Sequence, residues 1–176
     1  MEQLKLSPLI SESDIQKRIA ALARAIEDGF NGEDIVAICV LKGSFVFYAD
    51  LMRSLSINVK CDFIGLSSYG DSTQSSGQVK MTMDIDTSLE NKNVLIVEDI
   101  VDTGLTMKYL LQYLELRKAK KLKTASLLYK PDAIKEEVKL DYVGFEIGNE
   151  FVVGYGLDYQ GLYRNIPYIA LVQNMN

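Results

Sequence analysis

The hydrophobic pattern changes period along the chain, and each change marks an element. After Ser11, the residues Ile15, Ile19, Leu22 and Ile26 recur at helical spacing on one face, and Ser13 with Gln16 supplies a capping box. Gly29 and Gly32 close that helix. The next apolar positions are continuous: Ile35 to Leu41 reads IVAICVL, the run expected of a strand covered by helices on both faces. Helical period returns from Ser44 to Leu55, and VKCDFIGL (Val59 to Leu66) alternates as a strand with Cys61 inward. Val79 to Met83 predicts a short returning strand. VLIV (Val94 to Val97) predicts a buried strand that stops at Glu98, followed by a helix from Leu105 to Lys118 with Leu110, Leu111 and Leu114 inward. Strands over Lys123 to Tyr129, Tyr142 to Ile147, Phe151 to Val153 and Tyr168 to Val172 complete the series. Such alternation predicts an α/β fold, a mainly parallel twisted sheet flanked by helices. One domain over residues 1–176 is expected, with the N- and C-terminal segments packed as a small cap.

One stretch has no period. SSYGDSTQSSGQ (Ser67 to Gln78) is rich in Ser, Gly and Asp, with Tyr69 as its one large apolar body. Long polar loops of this kind usually cover or line a binding site.

Composition sets the class. Apolar content of 48% and charged content of 24% are those of a folded globular chain. The net charge of −5 argues against a general nucleic-acid or anionic-membrane binder. No apolar run reaches the roughly 18 residues needed to span a bilayer, and MEQLKLSPLI lacks a signal pattern. Cys39 and Cys61 both read as buried strand residues, with no disulfide expected, so the expected setting is cytoplasmic. The chain has no histidine. That removes Ser-His-Asp and Cys-His catalysis and, with two cysteines, a structural zinc site. Proton transfer is left to carboxylates, Lys or Tyr, and any metal to a hard ion such as Mg²⁺.

Polar residues with chemistry cluster after strands: Lys42-Gly43, Glu98-Asp99, Lys130 and Asp158. Singly, each reads as a polar loop residue. Together they fall on the rim where open α/β sheets bind ligands. DTGLT (Asp102 to Thr106) opens a helix, so its free backbone N–H groups and the Thr103 and Thr106 hydroxyls form an anion site, with Gly104 permitting close approach. Taken alone, the turn reads equally as an ordinary helix start. A Walker nucleotide site is excluded because no GxxxxGK[ST] occurs, and GYGLDYQG (Gly154 to Gly161) fails the dinucleotide fingerprint at Tyr159.

VLIVEDIVDTGLTM (Val94 to Met107) resembles the phosphoribosyl-diphosphate motif of the type I phosphoribosyltransferases, and Asp102 resembles the acid of its hypoxanthine-guanine branch. LKGS (Leu41 to Ser44), SSYG (Ser67 to Gly70), LLYKPD (Leu127 to Asp132) and VGFEIGNEFVVGYGLDY (Val143 to Tyr159) follow in that family's order. The resemblance implies that Glu98 and Asp99 meet the ribose hydroxyls, directly or through Mg²⁺. It implies that Asp102, Thr103, Gly104, Leu105 and Thr106 hold the 5′-phosphate, and that Asp102 takes a proton from purine N7. Lys130, Phe151, Val152 and Asp158 would form the purine pocket, with Asp158 also meeting metal. Lys42, Gly43 and Arg164 would bind pyrophosphate, Lys42-Gly43 often through a cis peptide in the family, and Ser68 and Tyr69 would belong to the lid. Leu105 departs from relatives that carry Lys there. The implied activity is salvage of hypoxanthine or guanine in a homo-oligomer, a dimer or tetramer, with small molecules as partners. Adenine, xanthine or pyrimidine transferases and a non-catalytic nucleotide sensor are the alternatives.

Overall fold

The computed structural model describes residues 4–68 and 79–173. Its main sheet has six strands in the order β4-β3-β2-β5-β6-β7. These are β2 (Ile35–Leu41), β3 (Val59–Ser68), β4 (Val79–Met83), β5 (Asn93–Val101), β6 (Lys121–Tyr129) and β7 (Tyr142–Glu146). All neighbours pair in parallel except β4, which returns antiparallel beside β3. The α-helices among the described residues are α1 (Glu12–Gly29), α2 (Phe45–Ser54) and α3 (Leu105–Glu115).

The continuous apolar runs are explained by two cores. Side chains alternate across a strand, so Ile35, Ala37 and Cys39 of β2 pack with Ile15, Ile19 and Ile26 of α1 and Leu51 of α2. Val36, Ile38 and Val40 face the other way, with Met107, Leu110 and Leu114 of α3. Strand β5 divides likewise, Leu95 and Val97 on the first side and Val94 and Ile96 on the second.

The terminal segments form a small antiparallel sheet, β1-β9-β8, from β1 (Leu6–Ile10), β8 (Val152–Val153) and β9 (Ile169–Val172). No helix among the described residues is long and apolar enough to cross a membrane.

Several local expectations are corrected. The cap of α1 is Ser11, whose hydroxyl accepts from the Asp14 N–H at 3.2 Å; Ser13 lies inside the helix. Helix α3 ends at Glu115, and Leu111 is only partly buried. Cys61 is exposed, because β3 turns Asp62 inward, where the carboxylate accepts from the Phe63 and Thr87 N–H groups at 2.8 Å each. Strand β5 does not stop at Glu98. It continues to Val101, since Ile100 and Val101 still pair with Leu128 and Tyr129 of β6.

Candidate active site

The strand order reverses between β2 and β5, and a ligand crevice is expected beyond the carboxyl ends at such a point. Strand β2 leaves the sheet through a cis peptide between Leu41 and Lys42. Gly43 then passes so near β5 that a Cβ on it would lie 1.6 Å from Asp99 Oδ2. Only glycine fits. Ser44, fully buried, bonds its hydroxyl to the Val40 carbonyl, and α2 begins directly behind it.

The carboxylates of β5 lie in the sheet's end, not on a loop. Glu98 is 7% exposed and Asp99 9%. Asp99 Oδ1 accepts from the Ile100 N–H at 2.8 Å, and Glu98 Oε1 from the Asp99 N–H at 3.3 Å. Glu98 Oε2 is buried and has no hydrogen-bond partner among the described residues. Burial, and after it the charge of Asp99, hold the Glu98 carboxyl well above the usual carboxylate range; burial also raises Asp99. A buried orphan oxygen beside a second carboxylate calls for a cation or hydroxyl donors. The donor set is hard oxygen, which fits Mg²⁺. Among the described residues no three metal-ligating side chains converge, so ligand oxygens or water would have to complete the coordination.

Asp102 follows β5 with its side chain 49% exposed. Lys130 follows β6, and its N–H donates to the Val101 carbonyl at 3.0 Å, which ties the two strand ends together. The result is a buried ammonium beside a half-exposed carboxylate, Lys130 Nζ to Asp102 Oδ2 being 3.5 Å.

Gly104 caps α3 with φ of +82°, where a side chain is strained and a Cβ would meet the Glu136 carbonyl at 2.2 Å. The Thr103 carbonyl accepts from the Lys135 and Glu136 N–H groups at 3.0 and 3.1 Å, and Lys108 pairs with Glu136 at 2.6 Å. The loop is braced from behind. Thr103, Gly104 and Thr106 line a hollow of about 260 Å³ shared with Glu98, Asp99 and Asp102.

On the far side, Arg164 pairs with Asp158 at 2.7 Å and donates to the Gly156 carbonyl at 2.6 Å. Asp158 Oδ2 also accepts from the Gly161 N–H at 2.7 Å. Phe151 is 40% exposed, its ring meeting Tyr159 edge-on with centroids 5.9 Å apart.

A single cavity of about 370 Å³ brings together Lys42, Gly43, Glu98, Asp99, Asp102, Thr106, Lys130, Phe151, Val152, Asp158 and Arg164. Thr103 and Gly104 lie in the adjoining hollow, and Leu105 lines neither. Ser67 reaches the cavity wall; Tyr69 and the side chain of Ser68 lie outside the described residues. Sequence reasoning missed Ile100 and Leu157 in the wall and the bracing segment at Lys135-Glu136. Leu157 adjoins Asp158 in a motif already singled out; the brace sits in a charged loop with no signal of its own.

Comparison with known proteins gives the same direction. The family model for the phosphoribosyl transferase domain matches residues 11–160. The hypoxanthine-guanine phosphoribosyltransferase of Bacillus subtilis is 47% identical over 165 residues, which is 94% of this chain and 92% of that protein. The bifunctional protein TilS/HprT of Listeria monocytogenes is 44% identical across 94% of this chain, which spans only 26% of that longer protein. A crystal structure of a Bacillus anthracis hypoxanthine-guanine phosphoribosyltransferase superposes with a TM-score of 0.91 at 48% identity, covering 97% of this chain and all of that one. The matched span takes in both the reversal of strand order and the acidic end of β5, and the chain belongs to the phosphoribosyltransferase family, in its hypoxanthine-guanine branch.

Proposed function

We propose that this chain is a 6-oxopurine phosphoribosyltransferase of purine salvage. It joins hypoxanthine or guanine to the ribosyl group of 5-phosphoribosyl 1-diphosphate, giving the nucleotide and pyrophosphate. The observation that carries the reading is the convergence, in one cavity, of the buried Glu98-Asp99 pair with Lys130 set against Asp102. The hypoxanthine-guanine identity of relatives that match over almost all of this chain supports it.

In this reading the N9–C1′ bond forms as the C1′–oxygen bond to pyrophosphate breaks. Asp102 takes the proton leaving purine N7. Lys130 donates to O6, Phe151 offers its face to the ring, and backbone groups at Val152 and Asp158 meet the pyrimidine edge. Backbone N–H groups from Thr103 to Thr106 hold the 5′-phosphate at the start of α3. Lys42, Gly43 and Arg164 receive the pyrophosphate, and Glu98 and Asp99 accept from the ribose hydroxyls. Ser68 and Tyr69 belong to the segment that excludes water from the reacting carbon. Glu98 and Asp99 on the ribose side and, separately, Asp158 on the pyrophosphate side are the residues that would hold Mg²⁺, which when bound supplies the charge that offsets repulsion between the diphosphate and the acidic rim. The protein works in the cytoplasm as a homo-oligomer.

The test is nucleotide formation from phosphoribosyl diphosphate with hypoxanthine, guanine, xanthine, adenine and uracil in turn. Use of adenine or uracil with hypoxanthine inert would overturn the assignment.

A further inference from the structure

Tyr155 has no part in the chemistry proposed above, yet it fastens the segment that carries Asp158 and Arg164. The ring is 3% exposed, and its hydroxyl donates to Asp50 Oδ2 on α2. Gln16 Nε2, from α1, donates to the same Asp50 oxygen at 2.9 Å and to the Tyr155 hydroxyl at 3.4 Å. Asp50 Oδ1 is held by Arg53. On the backbone side, the Tyr155 N–H donates to the Ile166 carbonyl at 2.8 Å and the Gly156 N–H to the Arg164 carbonyl at 3.0 Å. The backbone bonds thus join the two limbs of the loop, and the Tyr155 side chain anchors them to α2.

The loop also touches the other pyrophosphate-side element. A Cβ on Gly156 would lie 2.1 Å from the Gly43 carbonyl oxygen, so the two backbones are in contact. Lys42-Gly43 runs straight into α2, which starts at Phe45 and carries Asp50 one turn and a half further on. One helix thus indexes both segments, Lys42-Gly43 by chain continuity and the Asp158–Arg164 loop through Asp50 and Tyr155.

We infer that Asp50 and Tyr155 are a positioning pair for the pyrophosphate side of the site, holding Asp158 and Arg164 in register with Lys42-Gly43. The inference rests on the function proposed above. It assigns neither residue any contact with substrate.

The test compares Tyr155→Phe, which removes one hydroxyl and keeps the ring, with Asp50→Asn, which keeps an oxygen to accept from Tyr155. In Tyr155→Phe the KM for phosphoribosyl diphosphate and the calorimetric Kd for Mg²⁺-pyrophosphate should rise about tenfold, the effect of losing ~1.4 kcal/mol. The KM for hypoxanthine and kcat should stay within about twofold, and Asp50→Asn should retain most of the affinity of the unmodified protein. Unchanged affinity for both diphosphates in Tyr155→Phe would overturn the inference. So would a uniform loss in every parameter together with a lower Tm, since that describes a merely structural bond. Failure of the unmodified protein to form any nucleotide would instead remove the underlying functional reading.

Discussion

Lys130 Nζ stands 3.5 Å from Asp102 Oδ2, the lysine buried and the aspartate half open to the cavity. The pair sits where strand ends β5 and β6 are tied by the bond from the Lys130 N–H to the Val101 carbonyl. If Asp102 accepts the N7 proton, Asp102→Asn keeps its shape and removes its basicity. Turnover should fall by ~10²–10⁴ while phosphoribosyl diphosphate still binds. Turnover near that of the unmodified enzyme, measured under saturating substrates, would leave Asp102 as a helix-start residue.

Selectivity for the base should reside in Lys130. Its hydrogen bond to a 6-oxo group is charge-assisted, worth about 1.5–3 kcal/mol. Adenine presents a donor at that position and would set it against the buried ammonium, which needs an acceptor there. Lys130→Ala should therefore cost most with hypoxanthine and guanine, and narrow their advantage over adenine. An equal loss of kcat/KM for all three bases would count against the role.

The orphan oxygen of Glu98 predicts opposite effects on stability and on binding. Glu98→Gln replaces one of two adjacent buried carboxylates with an amide that can donate to the other. A gain of ~1 kcal/mol would raise the Tm of the ligand-free protein by about 2–4 °C. The same variant should lose most of the Mg²⁺-dependent part of phosphoribosyl diphosphate affinity, and Asp158→Ala should weaken that part as well. Calorimetry with and without Mg²⁺ separates the two, and equal affinity in both conditions for the unmodified protein would remove the metal from the account.

Acid sensitivity should track Asp62. Burial alone would raise its carboxyl, but hydrogen bonds from Thr87 and Phe63 outweigh burial and hold it below the ordinary value of 3.8. A folded value below the unfolded one means that the stabilisation is present above 3.8 and is lost as pH falls through the folded value. Asp62→Asn should thus lower Tm at pH 7 and converge with the unmodified protein in strong acid. A gap in Tm that stays constant down to pH 2 would exclude this linkage.

The parts of the fold legible in the sequence were those set by local period. IVAICVL and VLIV declared strands with two buried faces, and Ile15, Ile19, Leu22 and Ile26 declared the inner face of α1. Alternation, however, marks two faces without saying which is inward. In β3 it is Asp62 that turns in and Cys61 that turns out, because Thr87, 25 positions away, supplies a hydrogen bond. The strand at Leu6–Ile10 was likewise invisible: its pairing with Ile169–Val172 lies at the other end of the chain, and Pro8 blurs its local pattern. At the site, the acids were found because carboxylates after an apolar run are conspicuous. The backbone of Lys135-Glu136, which braces Thr103, carries no such mark.

The glycines leave the two halves of the cavity unequally open to change. Beside the acids and on the diphosphate side, two glycines leave no room: an added methyl at Gly43 strikes the Asp99 carboxylate, and one at Gly156 strikes the Gly43 carbonyl. The second clash is with backbone, which cannot turn aside, and the first is with one of the site's own acids. On the base side the wall is made of side chains, those of Lys130, Phe151, Val152 and Leu157. Descendants of this chain are therefore free to drift in the nucleobase they accept and are held fast in the activated sugar they consume.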